Sequence, residues 1–191
     1  MKRSTFLNRI SLGTGGLLII PAVSLVQSCS YRPTLRTTIS ASDSPLLDEI
    51  GETIIPTTDA VPGAKAANIG SYMVLMYEDC MTPEDQQLFV EGINELDQRA
   101  SQTYGESFTT IEDVQKLELL YTIQNEAEAY YLTMEGLEKV PVHYFSLLKN
   151  LTISGYFSSK IGMMEARNYV PIPGKFESCI PYSKYDKPWA I

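Results

Sequence analysis

Apolar positions recur at helical spacing through most of the chain, and no run alternates as a strand would. Ser44-Pro45-Leu46 reads as a helix start, with Ser at the N-cap and Pro in the first turn. Leu46, Leu47, Ile50 and Ile54 hold one face until Pro56 ends the segment, and residues 56–63 form a loop. A second helix is predicted from Ala66 to Cys80, with Ile69, Tyr72, Met73, Met76 and Tyr77 on one face. Thr82-Pro83-Glu84-Asp85 opens a third, which Leu88, Phe89, Ile93 and Leu96 carry to about Gln102, before a break at Tyr104-Gly105. Thr109-Thr110-Ile111-Glu112 reads as a capping box for a fourth helix over Val114, Leu117, Leu120, Tyr121 and Gln124, reaching Leu132 or beyond. Pro141 opens a fifth through His143, Phe145, Leu148 and Leu151. After Gly155 the periodicity fades. The tail from Asn168 carries four prolines, four Tyr or Phe residues and the only Trp, and is expected to wrap the domain or a partner. The fold class is all-α: one small domain of about five helices, residues 44–191, with a long irregular C-terminal tail.

The first residues follow a different pattern. Residues 1–28 hold Lys2, Arg3 and Arg9 and no acid, ahead of an apolar run from Ile10 to Val26. This reads as an export signal peptide, since three glycines and Pro21 make the run marginal as a spanning helix. Arg3-Ser-Thr-Phe-Leu-Asn8 resembles a twin-arginine signal with Ser4 in place of the second Arg, so the export route stays open between that one and the general one. Leu25-Val-Gln-Ser-Cys29 resembles a lipobox, which would make Cys29 the lipidated first residue of the mature chain. Each buried methylene of its acyl chains would contribute about 0.8 kcal/mol of membrane affinity. Residues 29–43 are polar and unpatterned and read as a flexible linker.

Charge sharpens this division. The net −8 conceals a basic leader and a remainder with 12 cations against 23 anions. So acidic a domain is unsuited to gripping nucleic acid. One histidine and three scattered cysteines cannot build a His-rich metal site or a zinc ribbon. The chain has no dinucleotide fingerprint, haem-attachment motif or cysteine cluster for iron–sulfur. His143 could serve as a general base or lone ligand, but Lys139 and Leu147 are its neighbours at helical spacing, and a half-buried structural ring is the simpler reading. The acids from Glu112 to Glu138 follow the solvent side of helices. Met73, Met76, Met81, Met163 and Met164 suit packing. In an oxidising compartment Cys80 and Cys179 are expected to pair, closing a loop worth roughly 4–5 kcal/mol.

Four stretches in order resemble the gluconate 2-dehydrogenase subunit 3 family. They are Glu52-Thr-Ile-Ile-Pro-Thr-Thr-Asp59 with Val61-Pro-Gly-Ala-Lys-Ala-Ala67, then Tyr77-Glu-Asp-Cys80, then Leu151-Thr-Ile-Ser-Gly-Tyr-Phe-Ser-Ser-Lys-Ile-Gly162, and last Tyr169-Val-Pro-Ile-Pro-Gly-Lys-Phe-Glu-Ser-Cys179, with Trp189-Ala190 closing. Lys160 stands where the family pattern has Glu. The resemblance implies a helical, non-catalytic small subunit of an exported flavin-dependent sugar or sugar-acid dehydrogenase. Such a subunit stabilises the large flavoprotein subunit and aids its export, and a cytochrome c subunit passes electrons on. FAD is expected on the large subunit and no cofactor on this chain. The complex would sit on the periplasmic side of the cell envelope, held through the lipid at Cys29. The residues implied at the partner interface are Pro56, Pro62, Gly63, Gly155, Tyr156, Phe157, Pro173, Gly174 and Trp189. The rival readings are a free-standing envelope lipoprotein that binds a ligand or scaffolds other proteins, and an envelope enzyme built on His143.

Overall fold

The structure, a computed structural model, describes residues 31–137, 140–172, 174–175, 179–181, 183–184 and 186–190. Cys29, Pro173 and the export signal lie outside the described residues. Among the described residues, six α-helices carry the fold: α1 Ser44–Ile54, α2 Ile69–Asp79, α3 Pro83–Tyr104, α4 Asp113–Thr133, α5 Tyr144–Ser158 and α6 Lys160–Met164. Two short strands, β1 Asn168–Tyr169 and β2 Trp189–Ala190, pair in parallel. The compact unit spans Pro33–Ile191.

Local chemistry explains the boundaries. The expected second helix is split, because Asn68 takes a left-handed backbone at φ 57° between a 3-10 turn at Lys65–Ala67 and α2. The first turn of α2 is capped from another helix: Gly70 N donates to Asp48 Oδ1 on α1 at 2.7 Å. For α3, Thr82 Oγ1 accepts from Asp85 N at 3.2 Å and Gly105 ends the helix at φ 81°. The expected box at Thr109–Glu112 is displaced by one turn, as Glu112 N donates to Gln115 Oε1 at 3.0 Å and α4 begins after it. Thr109 and Thr110 instead sit in a turn with Ser107, beside the buried Phe108.

The core lies between the first five helices. Leu47, Ile50, Ile69, Met73, Phe89, Ile93, Leu96, Ile123 and Leu148 are almost fully enclosed. Each such side chain stabilises the fold by roughly 1.5–3 kcal/mol. Met76 and Met81 pack against this core while Met164 is exposed, so the methionines form no common surface.

Three expectations are corrected. The face of α4 read as inward is largely outward: Val114, Leu117 and Tyr121 are exposed, and Leu119, Leu120, Ile123 and Ala127 are buried. The helix carries apolar residues on two sides, and periodicity alone does not say which one meets the core. Residues 34–43 are not a free linker. Ile39 is 2% exposed in the core cluster, Arg36 exchanges backbone hydrogen bonds with the Asn94 side chain at 2.9 and 2.8 Å, and the Arg36 guanidinium reaches Asp43 and Asp97. Cys80 and Cys179 are both free and exposed, so the expected staple is not formed. The tail is held instead where Asn168 N and Val170 N donate to Pro188 O and Ala190 O, and where the Lys187 ammonium reaches Glu165 O. Backbone pairing therefore fixes its two ends without a covalent link.

Candidate functional site

The residues of the first and third motifs converge. Glu52 projects from the last turn of α1 and accepts from Thr57 N at 2.8 Å and Lys65 N at 2.9 Å, tying both ends of the 56–63 loop to one carboxylate. Thr57 Oγ1 accepts from Gly63 N at 2.9 Å. A Cβ on Gly63 would stand 2.5 Å from Glu52 Oε2 and Thr57 N, so only glycine fits the closed loop. Tyr156, buried on α5, donates its hydroxyl to Pro62 O at 2.6 Å. Burial, with Glu165 and Glu52 nearby, raises its phenol pKa and keeps it a donor. Gly155 lies against the Tyr72 ring, where a Cβ would overlap it. Phe157 packs edge-on against Tyr156, with the Arg167 guanidinium 4.3 Å from its ring centre.

These placements sort the candidate interface residues. Gly63, Gly155 and Tyr156 are buried, and Pro62 and Phe157 are half-buried. Pro56, Gly174 and Trp189 are exposed, Trp189 at 58%. The motifs therefore build a framework that joins α1, its loop and α5.

A groove of about 650 Å³ opens beside this framework, lined by Glu49, Glu52, Thr57, Lys65, Ala66, Asp113 and Lys116. Lys116 is buried on α4, and its Nζ lies 3.0 Å from both Glu49 Oε2 and Asp113 Oδ1. Burial opposes the Lys116 ammonium, but the bonds to Asp113 and Glu49 outweigh it and raise its pKa. Glu49 likewise pays desolvation, yet hydrogen bonds from Lys65 and Lys116 hold its carboxyl below the usual range. With three carboxylates against two lysines that are already paired with Glu49 and Asp113, the groove favours an incoming cation over an anion. Ala66 is its only apolar lining residue, a poor wall for a flavin ring. Among the described residues, no group of three or more His, Cys, Asp or Glu could hold a metal ion. No helix among them is long and apolar enough to cross a membrane.

His143 ends in a role that helical spacing does not reveal. It precedes α5 as its N-cap, and its Nδ1 accepts from Phe145 N at 3.2 Å. The ring stacks on Tyr144 at 4.7 Å between centres. Arg99 stands nearby between Glu95 and Glu126, and the Glu126 bond contributes most to raising its pKa. The buried Tyr144 hydroxyl has no hydrogen bond of normal geometry, although Glu95 is near enough to raise its pKa after burial has done so. A base needs a free lone pair, and the cap occupies the one on Nδ1.

Burial lowers the His143 pKa, against the opposing pull of Glu95 and Glu126. The folded state therefore binds this proton less readily than the unfolded state. The cap's contribution is fully present above the ordinary histidine value near 6.5 and is lost as pH falls below it. His143→Ala is expected to cost about 1 kcal/mol at pH 7. His143→Asn should keep the cap and flatten the stability change between pH 7 and 5. Urea unfolding at both pH values checks this, and an unchanged slope in His143→Asn would remove the titrating cap.

The sequence reading missed the trans caps from Asp48 and Glu52, the packed segment around Arg36 and the outward side of α4. A family model described as Gluconate 2-dehydrogenase subunit 3 matches residues 41–174, more than half of the chain. A search of the curated proteins and of the solved structures finds no match.

Proposed function

Because the chain belongs to the gluconate 2-dehydrogenase subunit 3 family, and is thereby a subunit of a dehydrogenase complex, we propose that it is the non-catalytic small subunit of an exported flavin-dependent sugar or sugar-acid dehydrogenase. Its work is to stabilise the large flavoprotein subunit and aid its export, with FAD on that subunit and a cytochrome c subunit as the next electron carrier. The observation that carries this reading is the family match across residues 41–174. The basic, apolar leader and the lipobox-like residues ending at Cys29 support export and a lipid anchor on the periplasmic face. Copurification tests the reading. Tagged protein expressed with its genomic neighbours should recover a flavin-bearing polypeptide from the membrane fraction, and Cys29→Ser should shift that complex to the soluble fraction. Recovery of no flavoprotein overturns the proposal.

A further inference from the structure

We propose that the outer face of α4, together with the charged groove at its start, is the surface that receives the large subunit, through an apolar patch on that subunit that carries an arginine or lysine. This deepens the reading above and rests on it.

Val114, Leu117, Tyr121 and Leu132 are 74%, 55%, 66% and 74% exposed. At 100° per residue they fall within about 60° of one another, and their stripe is centred about 140° from the buried stripe. A surface helix normally turns charged and polar side chains outward, and α4 places aliphatic and aromatic ones there. Val114, Leu117 and Tyr121 form a continuous apolar strip over the first two turns, and Leu132 lies on the same face three turns further on, beyond Asn125 and Glu128. Leu137, Val140 and Val142, in the segment after the helix, are exposed as well.

Charge says what kind of surface fits. Asp113, with its side chain 96% exposed, lines the groove and stands one turn before Leu117 of the stripe. Glu118 flanks the stripe and Glu128 interrupts it between Tyr121 and Leu132, and both are exposed. The two groove lysines are held by Glu49 and Asp113. An apolar patch rimmed by carboxylates is complemented by an apolar patch carrying a cation, which can enter the groove beside Asp113. A second copy of this chain would bring the same acidic rim and be repelled by it. The groove and the stripe therefore favour a different polypeptide.

The test compares copurification of the flavoprotein by the full chain and by a Leu117→Glu/Tyr121→Glu variant. Leu75→Glu on α2, at a leucine also 55% exposed, is the control. The wild type and the control should recover equal amounts, and the double variant at least tenfold less. Melting temperatures within a few degrees confirm that the variants fold. If the double variant does not fold, Leu117→Glu and Tyr121→Glu are used singly, each expected to lower recovery several-fold. Undiminished recovery by the folded variants overturns the α4 surface and leaves the subunit reading standing. A wild-type chain that is a dimer by light scattering, made monomeric by the same substitutions, overturns it in favour of a second copy. A wild type that recovers no flavoprotein overturns both.

Discussion

Gly70→Ala is expected to destabilise the domain by about 3 kcal/mol and to lower its melting temperature by roughly 6–12 °C. Gly70 is the second residue of α2 and lies directly on the first turn of α1. A Cβ there would overlap the backbone carbonyl oxygen of Ser44 and crowd its Oγ and carbonyl carbon. Backbone cannot swing aside as a side-chain end can, so α1 and α2 would have to separate. The same shift would break the 2.7 Å bond from Gly70 N to Asp48. Burial raises the Asp48 pKa despite that bond, so moving the bond away leaves a half-buried carboxylate without its best donor. Gly174→Ala, exposed with no atom within 4 Å of its Cβ position, should melt as the wild type does. Equal melting temperatures for the two variants would show that α1 and α2 do not depend on this close approach.

Asp97→Ala should cost a similar amount, about 3 kcal/mol, by breaking a buried polar group that serves two segments at once. Asp97 is 1% exposed on α3. Its Oδ1 accepts from Phe108 N at 3.1 Å, and its Oδ2 lies 3.5 Å from the Arg36 guanidinium. Removing it orphans a buried N–H in the turn before α4 and weakens the hold on residues 34–43. Asp97→Asn keeps an acceptor for Phe108 and should lose less. Urea unfolding reads the stability, and hydrogen exchange at residues 36–43 reads the local loosening. A loss under 1 kcal/mol with unchanged exchange would mean that Ile39 alone holds the segment down.

The helices were legible because their signals are local. Thr82-Pro83 opens α3 and Gly105 closes it where the sequence places both, since a cap needs only neighbouring residues. The boundaries that shifted depend on distant partners. Gly70 finds its acceptor on α1, and His143 leaves the helical register to cap α5 from outside. The outward side of α4 was misread for a related reason. Val114, Leu117 and Tyr121 keep the same period as a core stripe, and only the packed structure shows that the other stripe meets the core. Among the candidate interface residues, the motif glycines and Tyr156 were recognisable as special. Their reason is close approach and one long-range hydrogen bond from Tyr156 to Pro62, 94 residues apart in sequence. Composition cannot distinguish such a framework residue from a contact residue.

The packed segment around Arg36 also determines where the protein can be cut. The family match begins at residue 41, whereas the compact unit begins at Pro33. A fragment started at the edge of the match would lose Ile39 from the core and Arg36 from beside Asp97. It would expose the hollow that Ile39 fills and leave a buried carboxylate short of its cation. The smallest piece that keeps its own fold therefore starts several residues before the recognisable family sequence, and fragments for expression or partner mapping are best begun no later than Pro33.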